Sequence, residues 1–312
     1  DIFLHNSGPL TIAWQDALNF KKLTGKPFGI FGVTYGGLFG TSELPALNEA
    51  AFVYLRDSVS LQKVKDAGVR APVIGFVPDA VFAIDVTDDD KALPFLKSNG
   101  LEEGKFLCCI PRHRLTPVWL HKEKNRPYDA ERNARNEAMK EHDHKPLREA
   151  ITAVVRNTDH KILICNEDMV QQPIGKEWIL DLLPEDVKPK VVWLDSHWLT
   201  DEAISVYRRS AGLFGNEMHS PIMCIANDIP AIVCRWEEQT SKGYMWRDIG
   251  LGEWLFDLDK EEEIKRFVPT VLAMAKDTKA AKAKAVKARK YTASLHKEGM
   301  KVVEKVIGTY KA

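Results

Sequence analysis

The sequence predicts an α/β protein of two Rossmann-like halves that face each other across a cleft and end in a long carboxy-terminal helix. Three observations predict it. Short runs rich in Val, Ile, Phe and Leu alternate with helix-like segments, a rhythm that calls for parallel sheets. The rhythm breaks at the turn-rich stretch Lys97–Gly104 and then restarts. A length of 312 residues exceeds one ordinary compact domain and suits two of roughly 100–200 each. The halves are drawn at 1–100 and 101–312.

In the first half, strands are expected at Asp1–His5, Pro27–Tyr35, Ala51–Leu55 and Pro72–Val77, with helices near 11–24, 58–68 and 90–98. Asp57 or Ser58 would cap the second of these helices and the acidic run Asp88–Asp90 the third. Arg56 would bridge its strand tip to neighbouring backbone. In the second half, strands are expected at Lys105–Ile110, Lys161–Cys165, Lys190–Leu194, Gly212–Gly215, Ala231–Cys234 and Glu253–Phe256. A polar insertion, Thr116–Asp159, divides the first two and reads as an exposed helix over Tyr128–His144 followed by a core-facing one over Pro146–Arg156. From Lys260 onward the tail is helical. Its stripe of Ile264, Phe267, Val268, Val271 and Leu272 needs an apolar surface and is expected to pack back across the seam. The Lys-rich segment Lys276–Lys290 reads as a solvated helix face. The chain opens at Asp1 directly in strand-like sequence, so a preceding piece is expected and the first half is read as shortened at its start.

Composition excludes several classes. With 44 basic and 44 acidic side chains, no global field favours nucleic acid or an anionic membrane. Apolar runs fall far short of the roughly 20 residues of a membrane-spanning helix. Five cysteines, Cys108, Cys109, Cys165, Cys224 and Cys234, sit mostly in strand-like runs and read as buried free thiols of a reducing, cytoplasmic compartment. There is no CxxC pair, and His142 and His144, two apart on a helix, face different ways, so no metal is expected. Gly32, Gly36, Gly37 and Gly40 do not make GxGxxG, and no GxxxxGK[ST], HExxH or GxSxG occurs. Nicotinamide, P-loop and hydrolase chemistries fall with them.

In open parallel sheets, ligands bind beyond the carboxyl ends of the strands, where loops lead into helix amino termini. The expected tips are Asn6-Ser7-Gly8-Pro9, Tyr35-Gly36-Gly37 and Arg56-Asp57-Ser58 in the first half. In the second they are Arg112-His113-Arg114, Asn166-Glu167-Asp168, Asp195-Ser196-His197, Asn216-Glu217-Met218-His219 and Arg235-Trp236-Glu237-Glu238. Such tips suit a hydroxyl-rich or phosphorylated ligand better than an apolar one. Ser220-Pro221 reads as a capping hydroxyl followed by proline at the first helical position. His219 then stands beside a helix amino terminus, where an imidazole can donate to an anion or act as a general acid.

Several segments carry a resemblance. Phe52-Val53-Tyr54-Leu55-Arg56-Asp57-Ser58-Val59-Ser60, followed by Ala67-Gly68-Val69 and Val77-Pro78-Asp79, resembles a signature of the polysaccharide pyruvyl transferase family. Ala211 to Ser220, running on through Ala226-Asn227-Asp228-Ile229-Pro230-Ala231, is similar to that family's strand, Arg-Leu-His-Ser and Pro-led strand. Lys26 to Gly32, Lys242 and Asp248-Ile249-Gly250-Leu251 match further parts in the right order. The resemblance implies a GT-B-like fold of two Rossmann-like domains. It also implies transfer of a pyruvyl group from phosphoenolpyruvate to a saccharide as a cyclic ketal, with no further cofactor. His219 matches the motif histidine, the candidate acid.

Arg112 and Arg114 would clamp the donor's carboxylate and phosphate. Asn216, Ser220, Lys242 and the tip Asn6, Ser7 and Gly8 complete the expected binding set. Glu217 departs from the pattern: it stands where the family has arginine and reverses the charge beside the expected phosphate. A catalytically silent glycan- or protein-binding relative and a nucleotide-sugar glycosyltransferase are therefore the alternatives. Retained charge at Arg112 and Arg114 facing His219 would favour transfer. A cleft dominated by Glu217, Glu237 and Glu238 would favour the others, with Glu217 on a sugar hydroxyl or paired with an arginine such as Arg235.

Overall fold

A computed structural model of the chain describes residues 1–8, 10, 13–36 and 42–309; Pro9, Gly37 and Gly40 lie outside them. The first elements are β1 (Phe3–Asn6), α1 (Ala13–Thr24), β2 (Phe28–Val33), α2 (Leu44–Glu49), β3 (Val53–Leu55), α3 (Ser58–Asp66), β4 (Ile74–Phe76) and α4 (Asp89–Ser98). Then come β5 (Phe106–Ile110), α5 (Ala130–Asn157), β6 (Lys161–Ile164), α6 (Gln172–Ile174), β7 (Val191–Trp193), α7 (Thr200–Tyr207), β8 (Gly212–Gly215) and α8 (His219–Ala226). The chain continues with β9 (Ala231–Arg235), α9 (Met245–Asp248), β10 (Leu255–Asp257), α10 (Glu261–Lys276) and α11 (Thr278–Thr309). By internal packing it divides into two units. One comprises Asp1–Ile84, Thr240–Gly252 and the chain from Ala288; the other comprises Asp85–Gln239 and Glu253–Lys287. The predicted α/β character and two parallel sheets are present, and two segments return to the first unit that the sequence reading had assigned to the second half.

In the first unit the sheet order is β1-β2-β3-β4, all parallel. Strands added always on the same side, through right-handed crossovers, put the connecting helices on one face. There Phe28, Ile30, Val33, Val53 and Leu55 pack with Ala17 of α1, Leu47 of α2 and Val64 of α3. Period-two alternation turns Phe31, Phe52 and Tyr54 to the opposite face, which those helices cannot reach. The end of α11 covers it, with Val303 in the cluster and Val302, Val306 and Ile307 against it. Gly299 permits the approach: a Cβ there would lie 2.8 Å from Phe31 Cε2 and 3.0 Å from Val77 Cγ2.

The motif residues of this unit form a lock. Asp57 caps α3, its Oδ1 accepting from Ser60 N at 2.7 Å, as expected. Arg56 bridges to side chains where backbone was expected, donating to Thr34 Oγ1 at 2.5 Å and Asp79 at 2.6 Å. Asp79 also accepts from Ser7 Oγ at 2.9 Å. Burial acts to raise the Asp79 carboxyl, but Arg56, Lys242 and the Val81 N–H hold it below its usual value.

In the second unit the order is β10-β9-β8-β5-β6-β7, again all parallel. The chain runs outward from β5 to β7, returns to the other side of β5 for β8, and continues to β10, so β5 and β8 flank the topological switch point. All five cysteines are buried and unbridged here. α4 belongs to this unit, held to α7 by Lys91–Glu202 and to the turn after α7 by an Arg209–Asp89 pair at 2.9 Å. Asp88 caps it, accepting from Lys91 N at 3.2 Å.

The two helices expected in the insertion are one, α5, with Pro146 inside it. The surrounding turns hold the helix through the missing N–H, because Leu147, Ala150, Ile151 and Val154 are completely buried on the sheet. His142 and His144 do face different ways: one is exposed, the other buried. The tail is likewise two helices, parted at Asp277. The stripe of α10, expected to cross the seam, buries Phe267 and Val271 within the second unit, against α5 and β8. No described helix is long and apolar enough to cross a membrane.

Candidate functional site

The tip of β8 is set by a glycine. Gly215 has φ +154°, and a Cβ there would stand 2.3 Å from Ile110 O and 2.8 Å from Ile110 N. Only glycine lets β8 lie this close to β5 at the switch point. Asn216 follows, its N–H donating to Ile110 O at 2.9 Å, and the chain enters α8 at His219.

The cap of α8 is not the expected one. Ser220 lies inside the helix, where its hydroxyl accepts from Tyr207 at 3.1 Å. Glu167, from the tip of β6, caps instead: its Oε2 accepts from Ser220 N at 2.7 Å, and its Oε1 accepts from His219 Nδ1 at 2.6 Å. A carboxylate can only accept, so Nδ1 carries the proton and Nε2 is the nitrogen left for a ligand. The carboxylate also complements the helix dipole.

These groups border a cavity of about 330 Å³ at the tips of β5, β6 and β8, lined by Arg112, His113 and Thr116, by Glu167, Asp168 and Gln171, and by Glu217 and His219. Arg112 is the lysine or arginine among the lining residues. Its guanidinium is held by the His113 carbonyl at 3.0 Å, Thr116 Oγ1 at 2.9 Å and Glu217 Oε1 at 3.1 Å. Glu217 is buried. It accepts from Gln171 Nε2 at 2.6 Å and from Met218 N at 3.1 Å. Burial raises its carboxyl above the usual range, Arg112 and His219 opposing and Glu167 assisting.

Of the expected residues, Arg112, Glu217 and His219 meet in this cavity, and Ser220 adjoins it through its backbone. Arg114 does not line it. Its side chain is fully buried, spent on Asp143 at 2.8 Å, Glu238 at 2.6 Å and Asp259 at 2.7 Å, with Trp236 beneath it, because a buried guanidinium needs carboxylate partners. Asn216 is buried too, clasping the Asp143 carbonyl at 3.3 Å. Glu238 serves Arg114 and Arg135, and Arg235 pairs with Asp257 at 2.6 Å, leaving Arg112 as the partner of Glu217.

Asn6, Ser7, Gly8 and Lys242 belong to the first unit. There Ser7 and Gly8 take φ +60° and +74°, and Ser7 is tied to Asp79. Glu167, Asp168 and His113 stand at expected strand tips that carry no role in the sequence, and nothing in the sequence marks Gln171 or Thr116 as site residues. The strand-tip rule was the signal for the first three. Donor atoms of Glu167, Glu217 and His219 lie within 4.8 Å of one another, a spacing that could hold a cation. The helix cap and the carboxylate–imidazole bond account for the same distances.

The polysaccharide pyruvyl transferase model matches residues 2–238, three quarters of the chain. The chain belongs to this family. As a polysaccharide pyruvyl transferase family member it stands among glycan-modifying transferases. No curated protein matches it.

Solved structures share its fold at low identity. A UDP-forming α,α-trehalose-phosphate synthase from Burkholderia xenovorans is 10% identical with a TM-score of 0.57, covering 98% of this chain and 74% of that one. A UDP-GlcNAc 2-epimerase from Methanocaldococcus jannaschii is 13% identical with a TM-score of 0.55, covering 87% and 70%. A putative UDP-N-acetylglucosamine 2-epimerase from Listeria monocytogenes is 15% identical with a TM-score of 0.53, covering 93% and 68%. The family member therefore has the GT-B-like α/β fold, with two parallel sheets and a long last helix.

Proposed function

We propose that this family member transfers a pyruvyl group from phosphoenolpyruvate to two hydroxyls of a saccharide, closing a ketal. The reading is carried by His219: held at Nδ1 by Glu167, it offers Nε2 at the rim of a cavity that contains Arg112. Protonated at Nε2, His219 would deliver that proton to the methylene carbon of the enol as the first sugar hydroxyl adds to the central carbon. The proton released by that hydroxyl restores His219. The carbon–oxygen bond to phosphate then breaks, the second hydroxyl adds, and its proton leaves on phosphate. Arg112 would hold the donor's carboxylate or phosphate.

Glu217 sets a condition on this. Its carboxyl is already raised by burial, and an incoming anion raises it further. Donor binding would take up a proton at Glu217 and release Arg112 from the 3.1 Å pair. The same pair favours a second reading, a relative that binds glycans without turnover, if Arg112 stays closed on Glu217.

Incubation with phosphoenolpyruvate and a panel of galactose- and mannose-containing acceptors tests the proposal. Phosphate release that depends on acceptor is expected, falling by a factor of roughly 10²–10⁴ in His219→Ala. No release with any acceptor, where those saccharides still bind, supports the second reading.

A further inference from the structure

A second cavity, of about 160 Å³, lies where the tips of β6 and β7 meet α7 and α8. It shares Glu167 with the larger cavity. The carboxylate that holds His219 and caps α8 is thus also a wall between the two. We infer that this second cavity is a subsite for one sugar ring of the acceptor, adjacent to the ring that is modified. The inference rests on the transferase reading and extends it by placing a part of the acceptor.

The lining defines the occupant. Asn166 is only 2% exposed; its Nδ2 donates to Ser196 O at 3.1 Å, and its Oδ1 has no partner. A buried carbonyl left without a donor is costly, and a ligand O–H or N–H would satisfy it once the Asn166 amide, out of solvent's reach here, turns toward the cavity. Among the described residues no lysine or arginine lines the cavity; Glu167 disfavours an anionic group there, and His197 at the rim is the one lining side chain that can carry positive charge. The rest combines the aliphatic surfaces of Leu199, Ala203 and Met223 with the hydroxyl of Thr200 and the exposed imidazole of His197. That mixture suits a neutral ring with several hydroxyls.

A nucleobase would have only the exposed ring of His197 to stack on. Trp198 is buried, its indole N–H donates to Asn166 O at 3.1 Å, and Tyr207 and Phe95 pack against it at interplanar angles of 88° and 70°. The Tyr207 hydroxyl is committed to Ser220.

Calorimetric titration of the full chain, without donor, distinguishes the outcomes. The probes are methyl galactoside, methyl mannoside, the corresponding disaccharides and uridine. A disaccharide is expected to bind at least tenfold more tightly than its methyl monosaccharide. That preference should shrink to about twofold or less in Thr200→Trp and in Met223→Phe, which narrow the cavity from two sides, and should survive in His219→Ala. Melting curves of both narrowing variants serve as the folding control, and one folded variant is sufficient. Equal affinity for mono- and disaccharides overturns the inference, as does a preference that a folded narrowing variant leaves intact. Uridine binding more tightly than any saccharide, and lost in the same variants, overturns it in favour of a nucleoside site. Absent phosphate release with a disaccharide preference that behaves as described removes the pyruvyl donor and leaves the subsite standing.

Discussion

The imidazole of His219 is half exposed, and such a side chain on its own exchanges tautomers and rotamers freely. The 2.6 Å bond from Nδ1 to Glu167 removes that freedom, and the 2.7 Å bond from Ser220 N fixes the carboxylate in turn. Glu167 is in this account a positioning residue. Glu167→Gln should lower kcat by a factor of roughly 10–100 while leaving the donor KM within about twofold, because the acid remains but is poorly aimed. Glu167→Asp should recover part of the loss. Equal losses in kcat and in thermal stability, with no recovery by aspartate, would mean that the residue serves only as a cap. His219 was legible in the sequence because the strand–turn–helix pattern places it at a tip. Its partner was not, because Glu167 comes from a different strand and only the β5-β6 pairing brings that tip alongside.

At the scale of elements, strand positions were legible because a buried parallel strand reads as a short apolar run, whatever packs on it. Helix partners were less so. Arg114 looked like a ligand clamp until α5 and the loop after β10 supplied its carboxylates. The one-directional order of the first sheet leaves a face that its own crossover helices cannot cover, and α11 is the element that covers it. Val303→Asp, which puts a carboxylate against Phe31 and Tyr54, should therefore lower the thermal midpoint by several degrees. Lys301→Asp, two residues away on the exposed side of the same helix, should move it by a degree or less. Similar effects of the two substitutions would show that α11 is not packed on the sheet.

For the molecule as a whole, the alternation of strands and helices announced two sheets, but the return of Thr240–Gly252 and of the chain from Ala288 to the first unit could not be read locally. Those returns are decided by which apolar faces remain open after each sheet has formed. The buried His144 and the half-buried His113 give the second unit a pH dependence. Burial lowers both His113 and His144 to about 4, against the ordinary value of 6.5. Between those values the unfolded chain binds protons that the folded chain does not, so stability is complete above about 6.5 and falls as the pH drops toward 4. The thermal midpoint should decrease from pH 7 to pH 5, before carboxylates such as Asp79 begin to titrate, and His113→Leu should flatten that slope. An unchanged midpoint over this range would mean that both rings are solvated.

The central claim is that Arg112 and His219 receive an anionic donor in a cavity that Glu217 closes until it is protonated. Calorimetric titration with phosphoenolpyruvate at pH 5.5 and pH 7.5, on the native chain and on Glu217→Gln and Glu217→Arg, addresses it directly. The native chain should bind more tightly at the lower pH, with net proton uptake. Glu217→Gln should bind at least as tightly at both pH values and lose the part of the pH dependence and proton uptake that Glu217 contributes, leaving that of His219 and of the donor's phosphate, and Glu217→Arg should bind more tightly still, since it exchanges a repulsive charge for an attractive one. No binding by the native chain at either pH, and none gained in either variant, would contradict the account.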